Sequence, residues 1–292
     1  MDQQLDQFLS NLAVEKRYSD NTISAYKNDL NQFLEFLKTR AGGSVDVSFV
    51  NPETVLAYVD DLQHGQNSYA PSTVARKIAA VKSFFHSLVE QGLISADPAA
   101  KLNSPKVKKH VPKTLSQADM ERLLAAPGHS GGPKSLRDRA LLELLYATGM
   151  RVTEVVNLSL GDVDWENRSV SCPGKADRRR HMPLGPAADP LTDYLQHGRP
   201  NFARDDSPVM LFLNHRGQKL TRQGVWLILK EAADAAGLDG DVTPHTLRHS
   251  FAKHKLGAGE DLRRVQELLG HANLSTTQVY RQIEPDDSLP VA

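Results

Sequence analysis

A mainly α-helical chain with one small β-sheet is the fold class the sequence predicts: an N-terminal four-helix domain followed by a C-terminal α+β domain. Three observations carry this. The 292 residues exceed the ~100–200 typical of one domain. Apolar residues recur at helical spacing in four segments before residue 93, the signature of amphipathic helices. Beyond residue 113 helical segments continue, interrupted by two short strand-like runs around a Gly-led polar turn. Strand–helix–strand alternation is missing, so a doubly wound parallel sheet is excluded.

In the first domain, residues 3–14 place Leu5, Phe8, Leu9 and Leu12 on one helix face. Ser19 or Asp20 can cap a second helix running to about Arg40, with Ile23, Tyr26, Leu30, Phe33, Leu34 and Leu37 in phase, and Gly42–Gly43 stops it. Asn51–Pro52 pairs a capping side chain with a proline suited to the first helical position. Val55, Leu56, Val59 and Leu62 follow. The fourth helix starts near Pro71–Ser72, presents Val74, Ile78, Val81, Phe84, Phe85 and Leu88, and ends at Gly92.

In the second domain, Ser116 and Asp119 form a capping box for a helix over 115–126. Residues 136–148 are apolar and helical up to Gly149. Residues 170–172 and 181–184 flank the polar stretch 174–180 and predict a hairpin or a three-stranded sheet. Helices are predicted at about 187–197, 222–236, 245–257 and 260–269.

Charge is informative through its distribution. Lys+Arg and Asp+Glu are both 35, which excludes a polycationic tail protein and argues against DNA binding by bulk charge. Residues 1–105 hold 9 basic and 12 acidic residues, whereas KVKKHVPK at 106–113 holds four lysines and no acid. This places the domains at 1–105 and 114–292, with 106–113 as a basic linker suited to lie along a phosphate backbone. The linker's Lys106, Lys108 and Lys109, and Arg76, Lys77 and Lys82 on the fourth helix, are candidate DNA contacts; a solvated hinge and a solvated helix face are the ordinary alternatives. Cys172 is the sole cysteine, which excludes an internal disulfide and fits a reducing, cytoplasmic setting. No run approaches the ~20 apolar residues of a membrane span, and the acidic, amphipathic start does not read as a signal peptide.

Two near misses are set aside. Residues 128–135, GHSGGPKS, resemble a phosphate-binding P-loop, but Pro133 lacks the N–H that must point at phosphate, and no strand precedes it. His245 and His249, four apart on a predicted helix, have a spacing that can bind zinc. Arg248 between them repels a cation, and the glutamate of a zinc-protease motif is missing, so no metal or other cofactor is expected.

A third set fits better. His245 and Arg248 share a helix face. Arg151 follows Gly149 at a helix end, Lys175 sits on the Gly-led hairpin turn, His271 follows Leu269–Gly270, and Tyr280 closes a polar segment. Singly these read as surface charges, a satisfied polar histidine and a packed tyrosine. Together they suit a phosphodiester whose transition state gains negative charge on its oxygens, which fixed arginine forks can bind.

The boxes HTLRHSFAKH (245–254), VQELLGH (265–271) and LSTTQVY (274–280) resemble the C-terminal signature of the tyrosine recombinases, the phage-integrase family. ATGMRVTEVVNL (147–158) resembles the family's first-arginine box, GKADRRRHMPL (174–184) its lysine hairpin, and TISAYKNDL (22–30) part of its helical, SAM-like core-binding domain. The resemblance runs from about residue 3 to 283 and is strongest to the Xer recombinases that resolve chromosome dimers. It implies a site-specific recombinase that cuts and rejoins DNA without metal or ATP. Tyr280 would attack the scissile phosphate, form a 3′-phosphotyrosyl link and release a 5′-hydroxyl. Arg151 and Arg248 would clamp the non-bridging oxygens, and Lys175 would protonate the leaving 5′-oxygen. His245 would take part in proton transfer from Tyr280, and His271 would hydrogen-bond a non-bridging oxygen. Glu154 would orient its neighbours, and the cationic surroundings would ease ionisation of the phenol.

The implied partners are double-stranded DNA gripped by two domains, a homo- or heterotetramer with a sister recombinase, and a cell-division DNA translocase as activator, with no membrane. An integrase of a mobile element, or a catalytically silent DNA-binding accessory, are the alternatives. Departures from the pattern are Ala176, where the hairpin often has glycine, Lys255 at a usually apolar position, and only twelve residues after Tyr280, broken by Pro285 and Pro290. A weak tetramer in the absence of DNA is the consequence expected of that short tail.

Overall fold

The computed structural model describes all residues except 15–17, 19, 67, 106–111, 174–178, 272–276 and 283–292, together with the side chains of 129, 130, 281 and 282. The chain divides into two compact units, Met1–Lys109 and His110–Ala292, a division that falls within 106–113. Among the described residues no helix is long and apolar enough to cross a membrane.

The first unit consists of α1 (Asp2–Val14), α2 (Asp20–Ala41), α3 (Pro52–His64) and α4 (Pro71–Glu90). α1 and α4 bury the stripes their periodicity marks, Leu5, Phe8, Leu9 and Leu12 on α1 and Val74, Ile78, Val81, Phe84, Phe85 and Leu88 on α4, whereas on α3 Leu56 is exposed and Tyr58 joins Val55 and Leu62 in the core. Asn51 caps α3 by accepting from the Thr54 N–H at 2.8 Å, with Pro52 at the first helical position. Edge-to-face rings tie the helices together, Phe8 on Phe84 at 5.5 Å and Phe33 on Phe85 at 5.9 Å, geometries that add to simple burial. A buried ion pair enters this core. Asp29 of α2 is buried and accepts from Lys77 Nζ at 3.0 Å and from Arg76.

The second unit is built around α6 (Gly132–Thr148), which buries Ala140, Leu141, Leu142, Leu144 and Leu145 and so is a core helix rather than an amphipathic surface one. It starts four residues earlier than its apolar run predicts, because Gly131–Pro133 opens it. This also disposes of the P-loop resemblance: 126–130 form a 3₁₀ turn, and the Ser135 hydroxyl donates to the Pro127 carbonyl. Around α6 lie α5 (Gln117–Ala125), the one-turn α7 (Val152–Val155), α8 (Ala188–Asp193), α9 (Arg222–Ala235), α10 (Pro244–Gly257) and α11 (Leu262–Leu269). Ser116 caps α5 by accepting from the Asp119 N–H, and the Asp119 carboxylate also pairs with Arg122. The helix predicted over 187–197 is α8 continued by a π turn over Tyr194–Gly198.

The sheet is three-stranded and antiparallel in the order β1 (Val163–Asp164), β2 (Ser169–Pro173), β3 (Arg179–Pro183). Val170 pairs with Met182 and Cys172 with Arg180. Period-two alternation buries Val170, Cys172 and Met182 on one face.

Candidate active site

Two helix ends create the site. α6 ends at Gly149 and α11 at Gly270, both left-handed with φ of 59° and 64°, the conformation glycine adopts without steric cost. At Gly149 the requirement is double, because a Cβ there would collide with the Phe251 ring.

Arg248 of α10 lies buried between the two turns. Its Nη1 donates to the Gly149 carbonyl at 2.5 Å and its Nη2 to the Leu269 carbonyl at 2.6 Å. Burial first, then the neighbouring Arg151, bring its pKa down to about 10, so it remains cationic at neutral pH. These bonds satisfy the last carbonyls of two helices and fix the fork in place.

Arg151 caps α7. Its backbone N–H donates to Glu154 Oε2 at 2.7 Å and its Nη1 to Oε1 at 3.0 Å, while Nη2 reaches the Gly270 carbonyl at 3.4 Å. Glu154 therefore holds both the backbone and the side chain of Arg151. It also accepts at 2.9 Å from Arg180 of β3, which lies in the hairpin box but outside the predicted site residues. A signal was available: Arg180 shares a strand face with Met182 and is in register with Cys172, both buried.

His271 sits directly after the Gly270 turn. Its backbone N–H donates to the Gln266 carbonyl at 3.1 Å, and its Nδ1 lies 2.9 Å from Thr277 Oγ1. Burial, Arg248 and Arg151 lower its pKa to about 4.

Tyr280 is 5% exposed. Its ring stacks on His271 with centroids 6.4 Å apart, and its hydroxyl lies 2.7 Å from His249 Nδ1. Two expectations change here. Burial raises the phenol's pKa more than Arg248 lowers it, so the cationic surroundings do not ionise it in this state. The hydroxyl's partner is His249 rather than His245. His245 is exposed, with its ring 6.2 Å from that of His249. One helical turn separates the two histidines, and spacing alone could not say which would meet a tyrosine 31 residues away in sequence. Burial, His245 and Arg248 lower the pKa of His249 to about 4. A neutral ring with its proton on Nε2 accepts the phenol's hydrogen at Nδ1.

The structure thus brings Arg151, Arg248, His271 and Tyr280 together, with His245 at the margin. Lys175, Lys106, Lys108 and Lys109 lie outside the described residues, as do Ala176, Pro285 and Pro290. In the first unit, Lys77 is 6% exposed; its ammonium is held by Asp29 and Gln32 and lies over the Tyr69 ring. It belongs to the helix packing and not to a phosphate-facing surface, because α2 brings a buried carboxylate to it. Arg76 is half exposed and bonded to Asp29, and Lys82 donates to the Leu102 carbonyl at 3.0 Å.

Two arginines, one buried and one exposed, meet a histidine and a tyrosine at these two helix ends, a set of side chains that suits a phosphodiester. The family model for the phage integrase family matches residues 113–286, and that for the phage integrase N-terminal SAM-like domain matches residues 5–92. The chain belongs to the phage integrase family, the tyrosine recombinases, enzymes that cut and rejoin DNA without metal or ATP. It is 50% identical to the tyrosine recombinase XerC of Herpetosiphon aurantiacus over 98% of this chain and 92% of that protein. It is 43% identical to the tyrosine recombinase XerD of Listeria innocua serovar 6a over 97% of this chain and 95% of that protein. Among solved structures, XerH bound to a palindromic difH substrate after cleavage shares the fold with a TM-score of 0.74 and 21% identity, covering 96% of this chain and 80% of that one.

Proposed function

We propose that this recombinase acts at one DNA site to resolve chromosome or plasmid dimers into monomers at cell division, in the cytoplasm. The observation that carries the reading is the convergence of Arg151, Arg248, His271 and Tyr280 on the Gly149 and Gly270 turns. The near full-length likeness to XerC and XerD relatives supports it. Tyr280 Oη bonds to phosphorus as the P–O5′ bond breaks, and its phenolic proton passes to His245. Arg151 and Arg248 hold the non-bridging oxygens, and Lys175 gives its proton to the departing O5′. A positioned acid contributes ~10²–10⁴-fold. His271, neutral, donates to a non-bridging oxygen. The phenol must leave His249 and the buried seam before it can attack, so cleavage follows a local rearrangement triggered by DNA.

The partners in this reading are duplex DNA, further recombinase protomers of the same chain or a sister recombinase in a homo- or heterotetramer, and a cell-division DNA translocase that activates it. Arg76, Lys82, Lys106, Lys108 and Lys109 contact the phosphate backbone, so affinity falls steeply with salt. The test has two stages. A nicked suicide substrate carrying the nuclease-protected site is incubated with the parent and with Tyr280→Phe. A covalent protein–DNA band in the parent alone supports the chemistry, and no band in the parent refutes it. A plasmid carrying two directly repeated copies of the site is then scored for conversion to two circles. A protected sequence at a mobile-element boundary, in place of a chromosomal terminus, would refute the dimer-resolution role.

A further inference from the structure

Arg180 is a charged side chain at the site that the proposed chemistry leaves unused. It is 11% exposed at the side chain, on the inward face of β3. Nη2 donates to Glu154 Oε2 at 2.9 Å, and Nε lies 3.3 Å from Met182 Sδ. Its guanidinium also lies over Gly270, where an added Cβ would collide with Nη1. Glu154 meanwhile holds both the backbone N–H and the guanidinium of Arg151. One carboxylate therefore serves two guanidiniums, and the trio carries a net charge of +1. Without Arg180 the remaining pair would be neutral, and Glu154 would cancel the charge that Arg151 presents to a phosphate. A carboxylate beside a phosphate-binding arginine weakens it unless a further cation offsets it.

We propose that Arg180 is a positioning residue for DNA cleavage: it offsets Glu154, so that Glu154 can orient Arg151 without neutralising it, and it packs against the Gly270 turn that leads into His271. Arg180 is too enclosed to be a phosphate contact itself. This inference rests on the reading of Arg151 as a clamp on the non-bridging oxygens.

The test compares Arg180→Gln, Arg180→Lys and the double variant Glu154→Gln/Arg180→Gln in single-turnover cleavage of the nicked suicide substrate. DNA affinity and thermal melting are measured in parallel. Arg180→Gln is expected to slow covalent-complex formation about 10- to 100-fold, below the ~10²–10³-fold of losing a donor that touches the reacting group, with DNA affinity within about threefold of the parent. Arg180→Lys retains the charge and should stay within about tenfold. The double variant should recover most of the lost rate, because glutamine still accepts at the helix cap but carries no charge to offset. A purely structural role gives equal losses in the lysine and glutamine variants and no recovery in the double, and either result overturns the proposal, as does parental activity in Arg180→Gln. Should Arg180→Gln fail to fold, the lysine and double variants decide: the charge-offset role requires both to fold and cleave. Arg151→Lys is the control. If it cleaves like the parent, the reading of Arg151 has failed; if it is inactive while Arg180→Gln is parental, only the role of Arg180 has failed.

Discussion

The hydroxyl of Tyr280 lies 2.7 Å from Nδ1 of His249, inside the protein and with 5% of the tyrosine exposed. The phenol proposed as nucleophile is thus tethered, while its protonated form is favoured by burial. Replacing His249 by alanine removes the tether and leaves a buried hydroxyl without its acceptor, at a cost of about 1–3 kcal/mol of stability. Tyr280 should then be nitrated by tetranitromethane several-fold faster in the DNA-free protein, as read by mass spectrometry. An unchanged rate would show that packing alone holds the ring.

Two histidines with folded-state pKa values of about 4 link stability to pH. The unfolded chain has a histidine pKa of ~6.5, so between pH 6.5 and 4 it binds more protons than the folded one. Stability is therefore complete above about pH 6.5 and declines as pH falls toward 4. The combined loss is on the order of 1–3 kcal/mol after allowance for partial exposure. Urea midpoints at pH 7 and pH 5 should converge for His249→Asn/His271→Asn and diverge for the parent.

Gly149 holds a left-handed turn against the ring of Phe251. Gly149→Ala combines ~1–2 kcal/mol of backbone strain with ~1–3 kcal/mol of overpacking. A melting temperature lowered by several degrees is expected, with a larger loss of cleavage than of DNA binding, because the carbonyl that anchors Arg248 moves.

The buried carboxylate of Asp29 between Lys77 and Arg76 makes a different prediction for the first unit. Asp29→Ala strands the enclosed Lys77 ammonium and should cost about 3–5 kcal/mol. Arg76→Ala, at a half-exposed position, should cost under about 1 kcal/mol but lower the salt dependence of DNA binding by about one phosphate contact. If Arg76→Ala leaves the slope of affinity against salt unchanged, Arg76 is not a DNA contact.

Much of this molecule was legible from residue order because the relevant rules act within a turn or two. Apolar spacing marked the faces of α1, α2 and α4, Asn51–Pro52 marked a helix start, and Gly149 and Gly270 marked helix stops. The box spacing named the residue types a phosphate site needs before any of them could be seen to meet. The tertiary structure decided what depends on segments arriving from far along the chain. Lys77 became a core residue because Asp29, 48 residues away, packs against it. Arg180 joined the site because β3 turns it toward Glu154. His249, and not His245, received the phenol of Tyr280. Periodicity assigns a side chain to a face, but burial and a partner's approach set its charge state, and those are properties of the packed interior.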